Sequence, residues 1–109
     1  MIARIWHGYT SKSNAGIYED LLKSEIFIEI ENKQVSGFKE IQLLKRELET
    51  ETEFTTIMWF DDIESVKQFA GENYQKAYVP AKAREVLARF DAESIHCEMR
   101  HQLKYENQG

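Results

Sequence analysis

The order of its predicted elements constrains this chain more than any other feature. Residues 2–10 (IARIWHGYT) and 93–101 (ESIHCEMRH) alternate between apolar and polar side chains, as strands do. Between them the periodicity predicts a helix over 15–32, strands over 38–47 and 54–60, and further helices. The order βαββαβ predicts an α+β, ferredoxin-like protomer with a four-stranded antiparallel sheet, in which strands one and three are central.

Capping residues set the limits of the helices. Asn14 suits the N-cap of the first helix, although its side chain could also reach a cavity mouth. Asp61 and Asp62 supply the N-cap and first-turn acid of a helix that continues through about Ala70, and Gly71 ends it.

The last third of the chain is predicted to form shorter elements than the first two thirds. Residues 74–79 are expected to form a short helical turn, and 80–90 a last helix with proline at its first position. Residues 93–104 are expected to form the last strand. One domain therefore spans residues 1–104, followed by a C-terminal tail over 105–109.

Strands one and three are apolar or aromatic on both faces. Trp6 and Ile5 point in opposite directions, as does Trp59 relative to Met58 and Phe60. A sheet covered by helices on one side alone should be polar on the other. The simplest cover for the second face is another copy of the chain, so we expect a homodimer with two sheets packed face to face. The alternative is a monomer with an exposed aromatic patch, which is rare.

Composition argues against several classes of function. A net charge of −5, with basic and acidic residues interleaved, does not suit a nucleic-acid groove. The single cysteine, Cys97, excludes an internal disulfide, suits the reducing cytoplasm where we expect this protein, and is expected to be buried. No apolar run is long enough to span a membrane, and no dinucleotide or phosphate-loop motif is present. No organic cofactor is therefore expected.

Five short motifs resemble one known family. In chain order they are Ile5-Trp6-His7-Gly8, Ile57-Met58-Trp59-Phe60-Asp61, Phe69-Ala70-Gly71-Glu72-Asn73-Tyr74, Val79-Pro80 and His96-Cys97-Glu98. In order and spacing over nearly the whole chain they resemble the antibiotic-biosynthesis-monooxygenase-like family of dimeric α/β barrels. The resemblance implies that fold and a homodimer. It also implies a ligand cavity between sheet and helices, and for some members oxidation of polycyclic phenols by O2 without a cofactor.

The haem-degrading branch of that family fits less well. Its asparagine, tryptophan and haem-ligating histidine correspond by spacing to His7, Phe69 and approximately Tyr78, and none of the three matches. Tyrosine ligates ferric haem in other proteins, so haem degradation is kept as a minor alternative.

His7 is the strongest candidate for catalysis. If the resemblance holds, its side of the first strand faces the cavity, where a neutral imidazole suits a general base that removes a phenolic or activated C–H proton. Tyr74 is a candidate in the same reaction, as a group that hydrogen-bonds to or stacks on the substrate. The alternative for His7 is a core histidine bonded to a carbonyl or to a tyrosine hydroxyl.

His96 is a second candidate with a simpler alternative. It shares a strand face with Ser94 and Glu98, whereas Ile95 and Cys97 form the apolar side. The apolar side is expected to face the helices, which turns His96 toward the dimer interface, where it can pair with Glu98 or meet Arg4. A further possibility is that His96 and His7 line one cavity.

Four more residues are candidate substrate contacts: Asn14, Trp59, Phe69 and Tyr78. The aromatic members suit stacking on a flat molecule, although such residues are more often core or interface. No histidine pair has the spacing of a helical metal site, so no metal is expected.

Three hypotheses follow for function. The first is a cofactor-independent monooxygenase acting on a small aromatic, phenolic or quinone-like molecule, with His7 as base. The second is a non-catalytic small-molecule-binding or stress-response dimer. The third is a structural dimer whose cavity is fully packed.

Overall fold

A computed structural model describes residues 1–106 of the chain. The strands are β1 (Ile2–Ser11), β2 (Phe38–Glu47), β3 (Glu51–Phe60), β4 (Arg89–Phe90) and β5 (Ile95–Glu98). The helices are α1 (Ala15–Leu21), α2 (Phe27–Asn32), α3 (Ile63–Ala70) and α4 (Ala81–Val86), and one π-helical turn, Leu22–Ile26, joins α1 to α2. No helix within the described residues is both long and apolar enough to cross a membrane.

The sheet has the predicted ferredoxin-like order. Neighbouring strands run β2-β3-β1-β4, all antiparallel, and β5 also pairs with β1. Since β3 occupies one edge of β1, β4 and β5 share the other edge and together fill the position of the fourth strand. The prediction of an α+β chain with strands one and three in the centre is confirmed.

The first helix covers the predicted range but is not regular. Residues 15–32 are helical throughout, and within the π turn the Phe27 N–H donates to the Leu22 carbonyl. The Ser24 hydroxyl donates to the Asp20 carbonyl at 2.6 Å, a bond known to bend helices. Single π-helical turns inside α-helices, like the one at Leu22–Ile26, occur preferentially at functional sites.

The prediction for the last third of the chain is wrong in its details. Residues 74–79 form no helix; instead Lys76 bridges Glu93. The last helix covers only Ala81–Val86, because the chain then pairs with the free edge of β1, where the Ala88 N–H donates to the Tyr9 carbonyl.

The last strand is likewise shorter than the predicted range of 93–104. It covers only Ile95–Glu98, and 99–106 have no regular structure. Between β4 and β5 the chain leaves the edge of β1 near Asp91. The Asp91 carbonyl accepts a hydrogen bond from Trp6 Nε1 at 2.8 Å, and its carboxylate bonds His7. Of the predicted tail over 105–109, residues 107–109 lie outside the described residues.

Strand alternation divides the sheet into two faces. The helix-side face carries Ile2, Arg4, Trp6 and Thr10 of β1 and Phe54, Thr56, Met58 and Phe60 of β3. The open face carries Ala3, Ile5, His7 and Tyr9 of β1 and Glu53, Thr55, Ile57 and Trp59 of β3. Two clusters of buried apolar side chains lie under the helices, one around Tyr18 and Phe54 and the other around Phe60 and Val66.

The predicted capping of the third helix is confirmed at Asp62, whereas Asp61 precedes the cap and the acid of the first turn is Glu64. The Asp62 carboxylate accepts hydrogen bonds from the N–H and the hydroxyl of Ser65, both at 2.9 Å. The helix ends at Ala70, and Gly71 follows with a φ of +92°, a left-handed value that favours glycine.

Gly8 makes room for an aromatic ring on the helix-side face. A Cβ at this position would lie 2.8 Å from the Trp6 ring and 3.0 Å from Leu87. The Trp6 ring cannot move away freely, because its Nε1–H bonds the Asp91 carbonyl.

We therefore expect Gly8→Ala to lower the free energy of unfolding by about 1–3 kcal/mol, the usual cost of overpacking. Gly16→Ala is the matched control, because no atom lies within 4 Å of its added Cβ and alanine favours the helix by up to about 1 kcal/mol. Urea unfolding of the two variants measures both effects. Equal stability of Gly8→Ala and the unmodified chain would mean that the Trp6 ring is not held in place.

Candidate functional site

A cavity of about 130 Å³ lies between the helix-side face of the sheet and the helical segment 15–32. Residues 77–80 and α4 close its other side. Its walls are mainly aromatic and aliphatic, with contributions from Trp6, Tyr18, Leu22, Phe27, Met58 and Phe69. Side chains do not fill the cavity, so the full packing expected for a purely structural dimer is absent from this part of the described chain.

Few polar groups line this cavity. Thr56, Ser94 and Arg4 lie at the sheet, and Glu29 and Lys33 are exposed at the mouth. An apolar cavity with a small number of placed polar groups is the usual form of a small-molecule site. The recognition chemistry of the cavity therefore depends on these few side chains.

Arg4 is the one buried cationic side chain in the described part of the chain, at 5% exposure. Its Nη1 donates to the Tyr74 carbonyl at 2.6 Å and to His96 Nε2 at 2.9 Å, and its Nη2 lies 3.5 Å from the Lys76 carbonyl. Burial lowers the pKa of Arg4 from its ordinary value, because a charge is less well solvated there.

His96 lies on the helix-side face beside Arg4. The prediction that its face of the strand turns toward a dimer interface is wrong, because β5 pairs Arg4 with His96 and so places both on one face. The expected meeting of His96 with Arg4 is confirmed. The exposed side of β5 instead carries Ile95 and Cys97, so Cys97 is exposed and not buried as expected.

The ionisation state of His96 follows from its partner. A guanidinium has donors only, so His96 Nε2 must accept, and the ring is then neutral with its hydrogen on Nδ1. Burial first, and then the charge of Arg4, lower the pKa of His96, in agreement with that state. The Tyr74 ring packs edge-on against His96 with centroids 5.1 Å apart.

His7 lies on the open face and not in the cavity. Because it alternates with Trp6 along β1, the prediction that it faces the space between sheet and helices is wrong. Its Nδ1 donates to Asp91 Oδ2 at 2.8 Å, and its backbone N–H reaches the same oxygen at 3.1 Å. His7 and His96 therefore lie on opposite faces of the sheet and do not line one cavity.

The predicted substrate contacts divide into two pairs. Phe69 and Tyr78 line the cavity, although Tyr78 is 79% exposed. Trp59 lies on the open face, where its Nε1 donates to Gln42 at 3.0 Å, so it cannot contact a ligand held in this cavity. Asn14 occupies the N-cap position, but its side chain donates to the Val86 carbonyl at 3.3 Å and does not line the cavity.

Sequence reasoning missed Arg4 and Tyr18 as site residues. Tyr18 lines the cavity at 1% exposure, and burial raises the pKa of its hydroxyl. The available signal for Arg4 was a charge between Ile2 and Trp6 on one apolar strand face. No group of three or more His, Cys, Asp or Glu side chains among residues 1–106 could hold a metal ion.

Comparisons with known proteins bear on the fold. No family model and no curated protein matches the chain. Among solved structures, the chain is similar to a Bacillus cereus protein provisionally described as an antibiotic biosynthesis monooxygenase, with a TM-score of 0.68. The similarity covers 98% of each chain at 11% sequence identity, so the fold resembles that of this protein, and at this identity the likeness shows the fold alone.

The lowered pKa of His96 makes a prediction about stability and pH. The unfolded chain binds a proton at His96 near the ordinary pKa of 6.5, whereas the folded chain resists it, so stability falls as pH drops below 6.5. We expect His96→Gln to reduce the slope of the free energy of unfolding against pH, by the equivalent of up to one bound proton. Chemical unfolding over a pH series measures the slope.

His101→Gln is the control, because His101 is exposed and lies outside the strands. The free energy of unfolding of His101→Gln should vary with pH as that of the unmodified protein does. An unchanged slope in His96→Gln would contradict the neutral, buried state assigned to His96.

Proposed function

We propose that this chain binds one small, largely aromatic molecule in the cavity and oxidises it with O2, without an organic cofactor. The observation that supports the proposal is the apolar, aromatic-walled cavity between sheet and helices. The likeness to the Bacillus cereus protein supports it at the level of the fold. Fold alone does not determine a reaction, so the site carries the chemistry.

The volume of the cavity limits the ligand. A protein cavity of about 150 Å³ with apolar walls holds a molecule of benzene. At about 130 Å³, this cavity suits a single aromatic ring, whose substituents would extend toward the open mouth beside Glu29 and Lys33. A polycyclic ligand would require the mouth to open, where Tyr78 is the most exposed of the large hydrophobic wall residues.

The proposed oxidation acts on a methylene or ring carbon next to an ionised ring oxygen. The electron-rich carbon donates electrons to O2, one oxygen atom becomes a carbonyl on that carbon, and the other leaves as water. On a methylene both hydrogens of the water come from that carbon; on a ring carbon one comes from the carbon, and the other is a proton taken up from solvent in place of the one that the hydroxyl released. An apolar cavity favours this step, since O2 partitions into apolar space. Because His7 lies on the other face, a substrate that ionises without a histidine base fits this cavity best.

A non-catalytic binding protein is the second candidate. The observation that favours it is the engagement of His96, whose Nε2 lone pair already accepts from Arg4 and is not available as a base. Both candidates use the same cavity, so turnover distinguishes them.

Filling the cavity tests both candidates. Ala83 is buried and lines the cavity, whereas Ala81 is exposed on the same helix. We expect Ala83→Leu to abolish binding of the neutral one-ring probe 4-nitroanisole, measured by saturation-transfer NMR, while Ala81→Leu retains it.

Oxygen uptake with a panel of dihydroxybenzenes and acidic enols then measures turnover. Uptake that Ala83→Leu loses and Ala81→Leu keeps would support the oxygenase. Probe binding without uptake would favour the second candidate, and failure of the unmodified protein to bind either 4-nitroanisole or its ionisable analogue 4-nitrophenol would contradict both candidates.

We also propose that two copies pack through their open faces. Ile95 and Leu44 are 55% and 54% exposed, and Ile5, Ile57 and Trp59 are only half-buried. An apolar surface of this extent is rare on soluble monomers, and two such sheets pack well face to face. The pairing would also cover His7 and Asp91, so any proton transfer by His7 would take place between the two sheets.

Placing a charge on this face should prevent the pairing. We expect Ile57→Lys to sediment as a monomer, because a buried lysine without a partner is costly. Ile17→Lys, on an exposed position of α1, should sediment as the unmodified dimer does. Sedimentation equilibrium measures both, and a monomeric unmodified protein would overturn the proposal.

A further inference from the structure

Building on the proposed function, we infer that the cavity recognises its ligand as an anion. The ligand class is a one-ring phenol or enol in its ionised form, with the oxygen bound by Arg4 and with His96 as the residue that positions Arg4. This inference adds a charge and a contact atom to the proposed aromatic ligand.

The first support is that Arg4 has no acidic partner. Ten ion pairs occur among the described residues, and Arg4 takes part in none of them. Buried charges are normally paired, because an isolated one loses its hydration without compensation. Arg4 is 5% exposed and bonded only to neutral groups, so an anionic ligand would supply the counter-charge that the protein does not.

The second support is the distribution of hydrogen bonds around the guanidinium. Nη1 uses both of its hydrogens, one on the Tyr74 carbonyl and one on His96. Nη2 has only the long contact to the Lys76 carbonyl, and Nε has no acceptor among the described residues. Nε and Nη2 form the edge with which arginine binds an oxyanion through two parallel bonds.

The third support is that His96 fixes this arrangement. As a neutral acceptor it binds one hydrogen of Nη1, which limits rotation of the planar guanidinium. A protonated His96 would repel Arg4 instead. His96 therefore acts through Arg4 and is a positioning residue, with Tyr74 packed against its other side.

Arg4 supplies the charge in the interior of the cavity, where its Cζ lies 5.8 Å from the Phe69 ring centroid. Lys33, whose Nζ lies 4.6 Å from the same centroid, and Glu29 are both exposed at the mouth, where water screens their opposite charges. The remaining titratable groups of the wall are the hydroxyls of Tyr18 and Tyr78.

Ionisation of the ligand replaces the missing base. A cation within contact distance stabilises the charged form of a hydroxyl and lowers its pKa. The proton passes to water before or during binding, and the bound anion is the electron-rich form that the proposed oxidation requires.

The test compares two probes of nearly the same shape, 4-nitrophenol and 4-nitroanisole, of which only the first ionises. Titration calorimetry gives the affinities, and the visible absorption of nitrophenolate reports its ionisation as a function of pH. We expect the unmodified protein to prefer nitrophenolate and to lower the pKa of the bound phenol relative to the free dye. Arg4→Gln should lose about tenfold to a hundredfold in affinity for nitrophenolate, the range expected for a charge-assisted bond, and keep its affinity for nitroanisole.

The role of His96 is tested by two substitutions. His96→Phe removes the acceptor and should weaken nitrophenolate binding and raise the pKa of the bound phenol. His96→Gln offers an amide oxygen to Arg4 and should restore part of both. Equal effects of the two variants on both probes would show a structural role only.

The outcomes separate the inference from the proposed function. If neither probe binds the unmodified protein, the proposed cavity function fails. If nitroanisole binds as tightly as nitrophenolate and the pKa of the phenol is unchanged, the anion inference fails and the cavity function stands. If Arg4→Gln does not fold, the comparison of the two probes on the unmodified protein and on Arg4→Lys, which keeps the charge, still decides the matter.

Discussion

The ladder between β1 and β3 determines where every side chain of the site lies. It runs for ten residue pairs in one register, from Ile2 opposite Phe60 to Ser11 opposite Glu51. Because side chains alternate along a strand, a slip of one residue would exchange the two faces of the sheet. Arg4 and Trp6 would then leave the cavity and His7 would enter it. The side chains available for chemistry under the helices thus depend on the register of the β1–β3 pairing.

Much of the fold could be read from periodicity and capping because these signals are local. The helix over 15–32, the strand over 38–47 and the Asp62 cap each depend on side chains a few residues apart. The last strand could not be read in this way. The position of the fourth strand is divided between β4 and β5 near Asp91, whose bonds go to Trp6 and His7, more than eighty residues earlier in the chain. Contacts of that separation leave no periodic trace in the sequence.

The candidate site was predicted only in part for a related reason. Apolar residues on both faces of β1 and β3 indicate two covered faces but do not say which one the helices cover. Assigning the apolar side of β5 to the helices was reasonable on hydrophobicity, yet the pairing of His96 with Arg4 places its polar side there. Phe69 and Tyr78 do line the cavity, and their signal was their correspondence by spacing to ligand-site positions of the family that the motifs resemble.

The π turn divides one helix into two parts that can vary separately. The part before it is held to the sheet by Ala15 and Tyr18, whereas Ile30 and Lys33, beyond it, reach the mouth of the cavity. An α-helix turns by about 100° for each residue, so losing one residue from Leu22–Ile26 would rotate everything after it by that angle. The mouth of the cavity would then present different side chains, and Ile26, Phe27 and Ile30 would lose their present packing against the two buried clusters. In this fold, a single insertion or deletion at the π turn would therefore reshape one wall of the cavity from its mouth to its floor.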